Sequence, residues 1–257
     1  MKRLKHTAVL LTVILTGILF LAGCSIKKTE NRPTITIGCK NDVPGFGLLD
    51  TTTGVISGFE IDVASAAARI IYGDDVEIRL QPVTAKTRGP LLDTGELDMV
   101  AATFTITDAR SKFFNFTQSY YTDHIKLMVR KASGIRSFAD LDGCTIGVSQ
   151  SSTSRQALET AADEQGMTLS FSEYGGYPEI KVALDSGRVD CFAVDGAILN
   201  GYLDESALIL PDEFESQEYG IAIAKYNSDL AEKADAALTE MKNNGDIKKL
   251  MEKWGIT

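Results

Sequence analysis

The chain has 257 residues, 44% hydrophobic and 24% charged, an ordinary globular composition able to bury one large core or two smaller ones. That composition excludes disorder, and the acidic balance, −9 overall, argues against nucleic acid as a partner. A site of a few residues can still carry the opposite sign from the whole.

The first segment stands apart. "MKRLKH" is basic, "AVLLTVILTGILFLA" is a 15-residue apolar run, and "LAGC" ends at Cys24. A membrane-spanning helix needs about 20 apolar residues, so residues 1–23 read as a signal peptide. Small residues followed by cysteine are similar to a bacterial lipobox, and export with lipidation at Cys24 is expected. A cut before Cys24 removes Lys2, Arg3 and Lys5 but no acid, leaving 23 basic against 35 acidic residues and a net charge of −12. Residues 24–33 are polar and unpatterned and read as a tether. Cys39, Cys144 and Cys191 then remain, each in an apolar strand-like run and none with metal-site spacing. Free buried thiols are expected, with one disulfide as the lesser reading.

From Thr34 the chain alternates β-branched runs with helical patterns. "TITIGC", "VEIRLQPV", "DMVAATF", "IKLMVR", "TIGVSQ", "LSFSEY" and "DCFAVD" read as strands. Between them, "FEIDVASAAARIIYG", "TRGPLLDTG", "SRQALETAADEQG" and "YPEIKVALDSG" space their apolar residues by three and four, as helices packed on a sheet do. Gly73, Gly95, Gly166 and Gly187 stand where such helices end. The C-terminal "SDLAEKADAALTEMKNNGDIKKLMEKWG" predicts two more helices, broken at Gly245. "GELDMVAATFTIT" and "GRVDCFAVDG" share one plan of glycine, Asp, apolar strand and polar turn, which implies two βαβ halves. The chain is expected to cross between them in "SQSYYTDHIKLMV" and to return in "ESQEYGIAIA", making a hinge.

Ligands of open parallel sheets bind beyond the carboxyl ends of the strands. Four places put polar residues there. Arg88 stands just ahead of a helix that Pro90 can start. Thr107 is an expected N-cap with Arg110 in the first turn, where a cation opposes the helix dipole and calls for an anion; pairing with Asp108 is the bland alternative. "SQSSTSRQAL" is a hydroxyl-rich turn that suits capping as well as anion contact. Asp195 follows an apolar strand directly and could equally be a helix N-cap. Two arginines, hydroxyl turns and one acid on opposite halves complement an α-amino acid zwitterion.

The runs "KNDVPGFGLLD…GFEIDVA", "TAKTRGPLLDTGELDMVAATFTITDARSKFFNFTQSYY", "DLDGCTIGVSQSSTS", "YPEIKVALDSGRVDCFAVD" and "YGIAIAK" resemble extracellular solute-binding proteins of polar amino acid ABC transporters, and among them the glutamate/aspartate-binding members. The resemblance spans residues 34–255. Asp108 and the cysteines at 39, 144 and 191 depart from the family's usual residues without touching the expected ligand contacts. The resemblance implies an α/β, two-lobed periplasmic-binding-protein-like fold of type II, each lobe a βαβ sheet with flanking helices and the ligand cleft between them. Lobe 1 would comprise residues 34–120 and 219–257, and lobe 2 residues 121–218. It assigns Arg110, with Thr105 and the turn at Thr153, to the α-carboxylate and Asp195 to the α-ammonium. Lys40 and Arg88 would serve the side-chain pocket, with Tyr177 and Phe46 closing it. The glycine-containing loop after the first strand would let Lys40 project and let Phe46 and the backbone approach the ligand.

Two cations in the side-chain pocket favour a second carboxylate, so glutamate or aspartate is the expected ligand. Glutamine stays open if Lys40 pairs with Asp42. The partners implied are the amino acid, an ABC permease, and the membrane through the lipid; a monomer without cofactor or metal is expected, on the extracellular or periplasmic face. An enzyme is disfavoured, although a few dehydratases resemble this fold: after the cut His124 is the one histidine, and no Ser-His-Asp or zinc pattern occurs. A receptor sensor domain is disfavoured because no membrane helix follows "KWGIT".

Overall fold

The β-branched run Thr34–Cys39 forms β1, with Ile35 and Ile37 buried. The computed structural model describes residues 32–256, so the signal peptide, Cys24 and most of the tether lie outside the described residues. The glycine-rich stretch after β1 is a small antiparallel meander of β2 (Asp42–Val43), β3 (Gly47–Leu49) and β4 (Ile56–Ser57). Gly47 and Gly58 serve the loop's own packing. A Cβ on Gly47 would sit 2.5 Å from the Lys40 carbonyl oxygen, and one on Gly58, at φ 153°, would sit 2.1 Å from that of Phe46.

Gly58 leads into α1 (Phe59–Tyr72), with Glu60 and Asp62 in the first turn and Arg69 in the last, as the helix dipole prefers. β5 (Glu77–Pro82), α2 (Arg88–Asp93), β6 (Met99–Ala101), α3 (Asp108–Ser111) and β7 (Phe114–Phe116) complete this pass. Helix α2 begins at Arg88, ahead of Pro90, because Thr84 and Thr87 exchange backbone-to-hydroxyl bonds that set the preceding turn. The chain crosses to a second sheet in β8 (Tyr121–Arg130) and continues through β9 (Thr145–Ser149), α4 (Ser154–Gln165), β10 (Ser170–Tyr174), α5 (Tyr177–Asp185), β11 (Cys191–Asp195), α6 (Gly196–Tyr202), β12 (Ala207–Ile209) and β13 (Phe214–Tyr219). It returns as β14 (Ala222–Ala224) and ends in α7 (Ser228–Asn243) and α8 (Asp246–Trp254), separated at Gly245 with φ 80°.

The first sheet has the order β5-β1-β6-β14-β7 and the second β10-β9-β11-β8-β12, with β13 also on β8. Their cores are parallel, but β14 runs antiparallel to β6 and β7, and β8 antiparallel to β11, β12 and β13. The parallel strands stop at the cleft, and a chain returning through the cleft must enter its sheet from that end. One hydrophobic cluster joins Ile35 and Phe59 of the first lobe to Ile180, Phe192 and Ile198 of the second through Tyr121 and Tyr219.

Asp62 and Asp98 have structural partners. Asp62 accepts from Lys253 Nζ and Trp254 Nε1, each at 2.7 Å, and Asp98 from the Thr36 amide at 2.7 Å. Cys39, Cys144 and Cys191 are free thiols; Cys39 and Cys191 are buried, whereas Cys144, on the rim of the second core, is only half-buried. Among the described residues no helix is long and apolar enough to cross a membrane.

Candidate functional site

The ends of β1, β6, β9 and β11 converge between the lobes, and with them the polar turns singled out above. Arg88 is buried, and its Nη1 donates to the carbonyls of Ala102 (2.5 Å) and Thr103 (2.9 Å). Arg110 follows the N-cap Thr107, whose hydroxyl accepts from the Arg110 amide at 3.1 Å. Its guanidinium donates to the Thr105 carbonyl at 2.8 Å and, across the cleft, to the Ser151 carbonyl at 3.2 Å. Both guanidiniums lie over one ring, that of Phe104, at 4.1 and 5.0 Å from its centroid. Burial, then the neighbouring Arg88, pulls the Arg110 pKa down to about 9, which leaves it charged at neutral pH. Asp108 is not its partner.

The turns that receive these arginines are strained. Thr103 (φ 47°) and Ser151 (φ 62°) are the two non-glycine residues with positive φ among the described residues, and each gives its carbonyl to a site arginine. Such a conformation is costly for a β-branched residue and persists where the surroundings over-determine it.

Asp195 closes β11 from the other lobe. It occupies the N-cap position of α6 without capping it; Asp123 Oδ2 accepts from the Ala197 amide at 2.8 Å instead. The Asp195 carboxylate accepts a hydrogen bond from the Tyr219 hydroxyl. Burial raises its pKa to about 6; the Tyr219 bond opposes the rise, Asp123 adds to it, and Arg88 and Arg110 oppose it. A carboxylate held in this way gains most from a cation that arrives with a ligand.

Lys40 is 2% exposed, and its Nζ lies 3.0 Å from Asp42 Oδ1 and 4.6 Å from the centroid of the Tyr177 ring. Burial lowers its pKa and Asp42 opposes that. Asp42 also ties the lobes together: Oδ2 faces the Tyr177 amide at 3.4 Å, and its carbonyl accepts from the Tyr202 hydroxyl. Tyr177 is buried and stacks on Phe192. Phe46 is buried in an aromatic cluster with Phe59, Tyr121 and Tyr219. It thus packs edge-on against the tyrosine that bonds Asp195. A cavity of about 850 Å³ lined by Tyr121, Asp123, Lys126, Gly196 and Trp254 includes Phe46, and no other residue of the expected ligand set lines it.

Two residues missed in the sequence complete the site. Gln217 of β13 is 1% exposed, and its Oε1 accepts from the hydroxyls of Thr105 (2.8 Å) and Thr153 (2.7 Å), joining the two turns assigned to one ligand group. Thr153 therefore directs its hydroxyl to Gln217 and does not cap α4. Glu60 is fully buried; its Oε1 accepts from the Tyr120 hydroxyl and from the Thr103 amide at 2.7 Å, while Oε2 has no partner. Neither had a local signal, because each is defined by partners more than 40 residues away.

Charge and geometry thus place two guanidiniums on one lobe and one carboxylate on the other, with a hydroxyl–amide bridge between them. Residues 35–257 match the family model of bacterial extracellular solute-binding proteins, family 3. The chain is 36% identical over 228 residues to the ABC transporter glutamine-binding protein GlnH of Bacillus subtilis, covering 88% of this chain and 82% of that one. It is 26% identical over 241 residues to the L-glutamate/L-aspartate-binding protein of Pseudomonas aeruginosa, covering 90% and 79%. An ancestral arginine-binding protein solved with arginine superposes with a TM-score of 0.78 at 34% identity, covering 87% of this chain and 98% of that one. The chain belongs to the bacterial extracellular solute-binding proteins, family 3, with the type II periplasmic-binding-protein-like fold, as a solute-binding protein of the amino acid ABC transporter class.

Proposed function

We propose that the protein closes its two lobes over a single glutamine outside the cell and presents it to an ABC permease, acting as a monomer anchored by lipid at Cys24 and without catalysis. The observation that carries the amino acid site is the pair of guanidiniums, Arg88 and Arg110, sharing the Phe104 ring opposite the buried Asp195. Among the described residues neither arginine is ion-paired to a carboxylate; their named acceptors are backbone carbonyls. An α-carboxylate on Arg110, helped by Thr105 and the Thr153 turn, and an α-ammonium on Asp195 would complete both sets of bonds. Because the ligand touches both lobes, only the closed form satisfies it, and binding drives closure.

The side-chain pocket decides the amino acid. Lys40 is paired with Asp42, so its charge is already matched, and the amide of glutamine then needs no further cation. The glutamine-binding relative supports the same choice. Glutamate or aspartate is the second reading, favoured by Arg88, whose Nε is buried without a partner and would donate to a second carboxylate. Tyr177 and Phe46 would wall the pocket in either case. Calorimetric titration with glutamine, glutamate, aspartate and arginine separates them: glutamine is expected to bind at least about tenfold tighter than the others. Tightest binding of arginine would overturn the pocket assignment, and tighter binding of glutamate would establish the second reading.

A further inference from the structure

Glu60 is the fully buried carboxylate of the cleft that the amino acid clasp does not use. It lies in the first turn of α1 and projects under the turn after β6. Its Oε1 holds the amide of Thr103, while Arg88 holds the carbonyl of the same residue. The two charged groups thus clamp one strained residue through the peptide units on either side of it. What remains on each is unpartnered: Glu60 Oε2 and Arg88 Nε are both buried with no hydrogen bond. Each feels the other's charge, for Glu60 supports the charged form of Arg88, and Arg88 that of Glu60. In a buried site such coupling is screened far less than at the surface.

We propose that Glu60 is the positioning residue that sets the preference for an amide over a carboxylate side chain, by offsetting the charge of Arg88 and holding the Thr103 turn against it. With Glu60 ionised, Arg88 is matched, and a ligand carboxylate meets no net positive charge. With Glu60 neutral, Arg88 becomes a net cation and a second ligand carboxylate is favoured. Because this rests on the amino acid site proposed above, wild-type titration with glutamine comes first, and binding neither of glutamine nor of glutamate would overturn both.

Glu60→Gln isolates the charge. Both hydrogen bonds of Glu60 fall on Oε1, which the amide oxygen of glutamine reproduces, so only the unpartnered Oε2 is changed. The readout is the ratio of the dissociation constants for glutamate and glutamine in the mature chain at pH 8.5, where a carboxyl with a pKa of about 7 is almost wholly ionised. The variant is expected to lower that ratio at least about tenfold, through tighter glutamate binding; a ratio within about twofold of wild type overturns the role of Glu60. The second readout is pH. The groups facing Glu60 are Tyr120, Thr103, Arg88, Lys40 and Cys39, and burial, opposed by the bonds from Tyr120 and Thr103, raises its pKa to about 7. The wild-type ratio should therefore fall as the pH is lowered from 8 to 5.5, while the ligand's own side-chain carboxylate stays ionised, and in Glu60→Gln the ratio should stay flat. Asp195 also titrates in this range, but it meets the ammonium common to both ligands and cancels from the ratio. Should the variant fail to fold, a flat wild-type ratio is by itself enough to overturn the proposal.

Discussion

Arg110→Ala is expected to weaken amino acid binding at least about a hundredfold while changing the unfolding temperature of the ligand-free protein by no more than about 4 °C. The two numbers follow from different parts of its environment. Truncating one partner of a buried, hydrogen-bonded charge pair costs about 2 to 5 kcal/mol, and each 1.4 kcal/mol is about a factor of ten in affinity. Without ligand, Arg110 gives its hydrogen bonds to the Thr105 carbonyl, on the segment after the strained turn at Thr103, and to the Ser151 carbonyl, on the other strained turn. Those two bonds from a charged donor stabilise by about 1.5 kcal/mol or more net each, but removing the guanidinium also relieves the cost of burying its charge and its repulsion with Arg88 on the Phe104 ring, which leaves a net loss of about 1 kcal/mol. For a chain of this size about 1 kcal/mol moves the unfolding temperature by roughly 2 to 4 °C. Calorimetry and a thermal scan of the same preparation check both; a large fall in unfolding temperature with binding intact would make Arg110 a structural residue.

Asp195→Asn should move binding and stability in opposite directions. The asparagine keeps an acceptor for the Tyr219 hydroxyl but loses the charge that meets the ligand ammonium, so affinity at pH 7.5 should drop at least about a hundredfold. The folded-state pKa of about 6 stands above the ordinary value of 3.8, because burial favours the protonated acid. Stability from that protonation is therefore fully present below about pH 3.8 and is lost as the pH rises through about 6. At neutral pH the ligand-free wild type carries a buried carboxylate at a cost on the order of 2 to 3 kcal/mol, at about 1.4 kcal/mol for each tenfold change in proton affinity. The uncharged variant is spared this, and its ligand-free unfolding temperature at pH 7.5 should rise by several degrees. In the wild type, ligand binding should strengthen as the pH rises from 5 to 7.5. Unchanged affinity in Asp195→Asn would remove the residue from the site.

Much of this architecture is legible in the chain because each parallel strand and each long helix carries its own period. β1, β5, β9, β10 and β11 coincide with the runs read as strands, and Gly245 breaks the C-terminal helices where the pattern changes. The short strands were missed for the converse reason. β2, β3, β4, β7, β12 and β14 have two or three residues each, too few to show alternation, and are held by their neighbours. The site divides in the same way. Arg88, Arg110 and Asp195 stand at element boundaries where a polar residue has local meaning, so they could be singled out. Glu60 reads as an acid placed to suit a helix dipole, and only the fold shows that it is buried on Tyr120 and Thr103. Gln217 sits in the return crossing, where no local rule distinguishes it from its exposed neighbours Ser216 and Glu218. The pairing of Lys40 with Asp42, which bears on the ligand's charge, is two residues apart in sequence; the sequence held both outcomes open, and burial of Lys40 selects the pair.

A thermal scan of the mature chain against each of the twenty common amino acids, alongside glutamine acetylated at its α-nitrogen and glutamine amidated at its α-carboxyl, tests the zwitterion clasp most directly. Glutamine should raise the unfolding temperature by several degrees, and either blocked form should leave it unchanged because one half of the clasp is lost. Equal stabilisation by a blocked form, or no rise with any free amino acid, would contradict the account.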